Sequence, residues 1–220
     1  MADYYLHQGD IVHIVAPSYK GNEKNLESIK DYIKSLGLVP KISSNIYKST
    51  NDGFIYSNNE EFRAEDLIDA LTDNSKAVWC IRGGSGASSL IPYLDEKLPK
   101  SLPQKIFIGY SDITVLHEYH YNRYNWSTIH GPMLEKIVNG YGPDSPSVIA
   151  TKELIFGEKQ QISFDNLKFL NMSKFSSTKN YEIKSSIIGG NLTLVEMSTG
   201  TNWQPKTENK IIFFEDIHCD

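Results

Sequence analysis

The sequence is poor in cysteine, has no block of basic residues and lacks any long apolar run. Its two cysteines, Cys80 and Cys219, are too few for a disulfide framework, and their spacing fits no metal motif. Cys80 sits inside an apolar, strand-like run and reads as a small buried hydrophobe. A net charge of −5 gives no basic footprint for nucleic acid or an anionic membrane surface. The longest apolar run, Ile11 to Ala16, is interrupted by His13 and is far too short to span a bilayer. The polar start MADYYLHQGD has no basic stretch leading into an apolar one, so no secretory signal is visible. A reducing, cytoplasmic setting is the resulting expectation.

What is present is ordinary globular composition, 40% hydrophobic and 22% charged over 220 residues, enough for one good-sized domain or one domain plus a small second. Strand-like and helix-like segments alternate. Ile11–Ala16 reads as a strand ending at Pro17-Ser18. Leu26, Ile29, Ile33 and Leu36 recur at helical steps and stop at Gly37. Leu38–Ile42 is a second strand, and a loop through Asn51-Asp52-Gly53 follows. Phe62, Leu67, Ala70 and Leu71 mark a helix. Ala77–Ile81 is a buried strand running into Arg82-Gly83-Gly84-Ser85-Gly86, with a helix through Leu90 and Ile91 after it. Lys105–Ile108 is a strand that breaks at Gly109-Tyr110-Ser111-Asp112, Ile113–His120 a helix, and Trp126–Ile129 a strand ending at His130-Gly131-Pro132.

This alternation predicts an α/β fold, a parallel sheet flanked by helices. In such sheets, sites gather at the carboxyl edge. The glycine turns after Ile81 and Ile108 should therefore share one rim. The pattern changes near residue 157. We assign residues 1–157 to an N-terminal α/β domain, 158–180 to a polar linker, and 181–220, with the apolar strand Ile211–Phe214, to the beginning of a β-rich C-terminal domain.

Ser111 lies between a buried strand and a helix, where a hydroxyl is presented free of the backbone and the helix start favours developing negative charge. The N–H of Asp112 would point to where an oxyanion forms. The same pattern also suits a plain helix N-cap. The Gly83–Gly86 turn could supply a second oxyanion donor or cradle a phosphate, although it matches neither standard nucleotide motif. A serine nucleophile needs a base, normally an oriented histidine. His117 and His120 lie too far along their helix, and on the wrong side. His7 precedes the first strand, His13 lies within it, His130 ends a strand, and His218 follows Glu215 near the end of the sequence. None is placed by spacing to act as the base. Glu215 ends an apolar strand, a position suited to orienting an imidazole but equally to a solvated strand end.

Together, GDIVHIVAPS (9–18), AVWCIRGGSGASSLIPYLD (77–95), KIFIGYSDITVLH (105–117), IHGPM (129–133), IGGNLTLVEMSTGT (188–201) and IIFFEDI (211–217) resemble the LD-carboxypeptidase family of serine peptidases. The resemblance implies Ser111 as nucleophile, Glu215 as the acid that orients the catalytic histidine, and an oxyanion hole from the N–H groups of Asp112 and Gly84. Ser85, at a position usually aromatic in the family, His130 and Asn191 would face substrate. By the resemblance, the family's histidine lies beyond the ED segment, in sequence these 220 residues do not include, so this form alone is expected to be nearly inactive unless His130 or His218 substitutes or a second chain supplies the missing part.

The implied activity is metal- and cofactor-independent release of terminal D-alanine from muropeptide tetrapeptides in cell-wall recycling. A neighbouring branch instead hydrolyses a microcin-type peptidyl-nucleotide. Other readings are a non-catalytic muropeptide-binding remnant and a phosphate or nucleotide binder. An apolar interface left uncovered would favour association, and a homodimer is among the expected partners.

Overall fold

The structure, a computed structural model, describes residues 4–48, 56–168 and 182–217. The Asn51–Gly53 loop, the linker between 169 and 180, His218 and Cys219 fall outside the described residues. Five strands, β1 (Ile11–Val15), β2 (Val39–Ile42), β3 (Ala77–Cys80), β4 (Ile106–Gly109) and β5 (Ile129–His130), form one sheet in the order β2-β1-β3-β4-β5. Every pairing in it is parallel. Helices α1 (Leu26–Ser35), α2 (Glu60–Thr72), α3 (Ile91–Lys97), α4 (Thr114–Tyr124), α5 (Leu134–Lys136) and α6 (Pro146–Ile155) follow or connect these strands.

Side-chain alternation along each strand feeds two cores. Val78, Cys80 and Phe107 pack with Leu67, Leu71, Leu94, Leu116 and Tyr119 on one face. Ala77, Trp79 and Ile108 pack with Ile29, Ile33, Leu134 and Val148 on the other. Trp79 buries its ring and donates from Nε1 to the Pro132 carbonyl at 2.8 Å. Gly37, at φ 76°, closes α1 in the left-handed region that ends helices.

Three elements differ from the sequence reading. Trp126 is a buried core side chain and the strand reduces to Ile129–His130, because Asn125 turns left-handed at φ 55° to end α4. α6 occupies a stretch for which no helix was predicted. On α2 the buried stripe carries Arg63, with Phe62 only half-buried beside it.

Beyond α6 the described residues 158–168 and 182–186 carry neither helix nor strand. Then β6 (Ile187–Asn191) and β7 (Ile211–Glu215) pair in parallel as a second sheet, with α7 (Leu192–Met197) between them. This sheet docks on α4. The Thr114 hydroxyl accepts the Asn191 N–H at 3.0 Å, and Glu118 Oε1 accepts the Gly189 N–H at 3.1 Å. Gly190 must be glycine, since a Cβ would lie 2.6 Å from Thr114 Oγ1.

The end of α2 is tied to three strands by one carboxylate. Asp73 accepts from Lys105 Nζ at 2.7 Å and Lys41 Nζ at 2.9 Å, and lies 2.9 Å from His13 Nδ1. Burial alone would raise its carboxyl pKa, but the bonds from Lys105, Lys41 and Ser75 outweigh it and hold the group far below its ordinary 3.8. His13, Asp69 and Asp73 also bring potential metal-ligating atoms within 4.8 Å of one another. Lys41 Nζ, 2.8 Å from Asp69 and 2.9 Å from Asp73, and Lys105 Nζ, 2.7 Å from Asp73, already pair with those carboxylates.

A carboxyl with a depressed folded pKa stabilises the fold above its unfolded pKa, and that stability is lost as pH falls through the folded one. Asp73→Asn should therefore cost about 3 kcal/mol at neutral pH. The deficit in chemical denaturation should narrow as pH drops below about 4; a deficit independent of pH would contradict the charge network.

Candidate active site

Ser111 is held in an unusual backbone. β4 ends at Gly109, Tyr110 is extended (φ −154°, ψ −174°), and Ser111 turns to φ 61° at the start of a short 3-10 segment, Ser111–Ile113, that leads into α4. The bend is tight enough that a Cβ on Gly109 would meet Ile113 at 2.7 Å. Left-handed backbone costs a non-glycine residue roughly 1–2 kcal/mol. It persists where surrounding packing leaves the chain no alternative, and it is found preferentially at functional sites.

The glycine turn lies against this bend. A Cβ added to Gly83 would sit 3.0 Å from Ser111 Cβ and 3.2 Å from its Oγ. Both turns thus occupy the carboxyl edge, as the strand alternation predicts. The sheet order reverses direction between β1 and β3, so the turns after these strands flank the crevice where α/β sheets commonly bind ligands. Gly84, at φ 125°, has the Tyr19 ring where a Cβ would be, at 2.3 Å. Ser85 Oγ lies 3.4 Å from both the Tyr19 and Tyr56 hydroxyls.

Asp112 turns its carboxylate inward. It accepts the Ser18 hydroxyl at 2.5 Å and the Ala87 N–H at 2.9 Å. Arg82, half-exposed at the rim, donates to Glu135 at 2.9 Å, and Glu135 also accepts from the Asn22 N–H at 2.6 Å.

The histidines separate clearly. His117 is committed to the backbone at the end of β4. Its Nε2 reaches back to the Gly109 carbonyl at 2.9 Å, and its ring lies 6.0 Å from that of His130. His120 is buried among Phe107 and Trp126, and burial takes its pKa down to about 3. His130 stands beside Gly109 in register, with ring-centre distances of 6.1 Å to Tyr110 and 4.9 Å to Phe213. Its Nε2 is 3.7 Å from Glu215 Oε1, too long for a hydrogen bond. Burial lowers the His130 pKa to about 4, so the imidazole is neutral at physiological pH, whereas burial and neighbouring Asp216 raise that of Glu215. Asn191 is engaged at both ends of its side chain, donating to Asp216 at 3.0 Å and accepting the Leu194 N–H at 3.3 Å as the cap of α7.

A separate cavity of about 730 Å³ opens between α4 and the second sheet, lined by His117, Glu118, His130, Lys210 and Phe213 among others. Ser111 does not line it. The sequence reading missed Tyr19, Tyr56, Arg63 and Glu135 at this rim. Arg63 alone left a legible signal, a charge four residues before Leu67 on an apolar helical stripe.

The chain is similar to known proteins along most of its length. The pattern of the LD-carboxypeptidase N-terminal domain matches residues 12–131, and that of the LD-carboxypeptidase C-terminal domain matches residues 184–220. The chain belongs to the LD-carboxypeptidase family. It is 39% identical over 210 residues to a protein of Rickettsia conorii that bears a carboxypeptidase name, covering 94% of this chain and 63% of that protein. It is 30% identical over 151 residues to the murein tetrapeptide carboxypeptidase of Pseudomonas aeruginosa, covering 64% of this chain and 45% of the relative. Among solved structures it resembles an MccF-like protein from Bacillus anthracis, with a TM-score of 0.71 at 22% identity over 96% of this chain and 68% of the other. The muramoyltetrapeptide carboxypeptidase of Oxalobacter formigenes gives a TM-score of 0.68 at 21% identity, covering 95% and 66%.

The strain at Ser111 is directly measurable. Ser111→Gly should raise unfolding stability by about 1 kcal/mol relative to Ser111→Ala, which keeps the Cβ and its penalty. Equal stabilities for the two variants would mean that position 111 is not left-handed.

Proposed function

We propose that this chain carries the nucleophile of a serine-type LD-carboxypeptidase that releases terminal D-alanine from muropeptide tetrapeptides during cell-wall recycling in the cytoplasm. The observation that carries the reading is Ser111 at φ 61° on a strand-to-helix bend, packed against Gly83. No helix among the described residues is long and apolar enough to cross a membrane, in keeping with a substrate met in solution.

In this reading Ser111 Oγ adds to the carbonyl carbon of the last peptide bond while its proton passes to an imidazole. The N–H groups of Asp112 and Gly84 stabilise the oxyanion. The imidazole returns the proton to the departing D-alanine nitrogen, leaving an acyl-serine that water hydrolyses. Glu215 orients the imidazole. The chain spans 63% of the Rickettsia relative, and we assign the histidine to sequence beyond these 220 residues. Among the described residues His130, 3.7 Å from Glu215, is the alternative base. Ser85 and His130 face the substrate, and Asn191 serves the rim by holding α7 and Asp216. We further assign 158–180 to a linker between two domains.

D-alanine release from a muropeptide tetrapeptide, measured on the protein expressed from its whole reading frame, tests the reading. Ser111→Ala should lower kcat by about four orders of magnitude or more, and Glu215→Gln by a smaller but large factor. Unchanged release by Ser111→Ala would remove the serine mechanism. Release only from a peptidyl-nucleotide would favour the microcin-type branch, and muropeptide binding without release the non-catalytic one.

The 220-residue form exposes Ile187, Ile212, Phe214 and Ile217 on and beside the second sheet. Apolar clustering of this kind favours pairing with a second copy. Sedimentation should show concentration-dependent dimers that Phe214→Ser weakens; a monomer at all concentrations would rule this pairing out.

A further inference from the structure

We infer that the Asp112 side chain and Arg63 form a buried clamp that sets the glycine turn against Ser111, making both positioning residues for the reaction at that serine. The inference rests on the hydrolase reading and extends it. In that reading Asp112 acts only through its backbone N–H, and Arg63 has no part.

The geometry is reciprocal. Two turns meet at the crevice between β1 and β3, Pro17-Ser18 after the first and Gly83–Ala87 after the second. Asp112 takes one donor from each, the Ser18 hydroxyl at 2.5 Å and the Ala87 N–H at 2.9 Å. Arg63 gives Nη1 to one carbonyl of each, Pro17 at 2.5 Å and Gly86 at 3.0 Å. The carboxylate thus gathers donors and the guanidinium gathers acceptors, on the same pair of turns. A fifth bond, from the Tyr19 N–H to the Gly83 carbonyl at 3.3 Å, joins the turns directly.

Most of the clamp is withdrawn from water: Ser18 and Ala87 are fully buried, Asp112 and Arg63 are 2% and 3% exposed, and Gly86 is half-buried. Buried charges of this kind are retained only when compensated. Burial pushes the Asp112 carboxyl up, and the Ser18 and Ala87 bonds and the Arg63 charge pull it back. The ring of Tyr56 lies 5.0 Å from the guanidinium.

The consequence for chemistry follows from where the clamped turns end. Gly83 touches Ser111, and Gly84 follows it with its backbone fixed at φ 125° under Tyr19. Asp112 is the residue after Ser111, so one side chain links the nucleophile's own bend to the turn that carries the second oxyanion donor. Loosening the link would shift that donor against the serine. Misplacements of about 1 Å cost roughly a hundredfold in rate, whereas substrate contacts away from the turn would persist.

The test compares Asp112→Ala, which removes both acceptor bonds, with Asp112→Asn, whose amide oxygen can take both donors. Ser18→Ala, which deletes one donor, is the second variant should Asp112→Ala fail to fold. In the protein expressed from its whole reading frame, kcat per folded molecule should fall about tenfold or more in Asp112→Ala and Ser18→Ala. KM should stay within about threefold, and Asp112→Asn should retain most of the rate. Amide hydrogen exchange across residues 83–87 should quicken in the first two variants and not in Asp112→Asn. Unchanged exchange overturns the clamp, and quickened exchange with unchanged kcat overturns its positioning role. If the parent protein releases no D-alanine, the hydrolase reading fails on its own and the exchange comparison still decides the clamp.

Discussion

A serine at φ 61° is the constraint on which the rest of the rim depends. Nothing local favours that conformation, because Cβ crowds the neighbouring peptide. The chain is driven into it from both sides. β4 is fixed in the sheet up to Gly109, and α4 is fixed by Val115, Leu116 and Tyr119 in the core. The bend between them must reverse direction within a few residues, and the short path available passes through left-handed backbone. His117 reinforces it by returning from the first turns of α4 to the Gly109 carbonyl. His117 is thereby part of what holds the bend.

The strained bend also explains the glycines opposite. A side chain at Gly83 would strike Ser111, and one at Gly84 would strike Tyr19. The two turns approach so closely that only backbone separates the serine from the first strand's loop. Close approach brings buried polar groups with it, and these must be satisfied within the protein. Asp112 and the Arg63 Nη1 do this by bonding to the same two turns, the one by accepting and the other by donating.

Much of this was legible in the residues. Apolar runs and glycine turns were enough to place β1, β3 and β4 and to put both turns on one edge, because strand alternation fixes which end of a parallel sheet a loop occupies. What the sequence hid were interactions between segments far apart in the chain. Ser18 and Asp112 are 94 residues apart, and Asn22 and Glu135 are 113 apart. No periodicity reports such pairs. α6 leaves no sharp stripe, because its apolar residues sit among Ser, Thr and Lys, and Trp126 mimics a strand residue because a buried indole has the same local appearance in a strand or a loop. Arg63 is masked in the sequence by Phe62, the apolar neighbour that has the appearance of the core residue but is only half-buried.

The second sheet positions Glu215 through a different kind of contact. α4 begins at the serine bend, and its outward side receives β6 through Thr114 and Glu118. Asn191 and Glu215 are cross-strand partners in β6 and β7, so the seating of β6 on α4 also sets the height of Glu215 above the first sheet. Glu215 Oε1 stands 3.7 Å from Nε2 of His130, which is held by β5 beside Gly109. Position therefore passes from the first turn of α4 in two directions, back to Ser111 through the chain and across to Glu215 through Thr114. A change that moved α4 would displace Ser111 and Glu215 together, keeping their relation to one another while breaking their relation to the glycine turn. This is why the contacts that tie the glycine turn to Asp112 carry more weight than their number suggests.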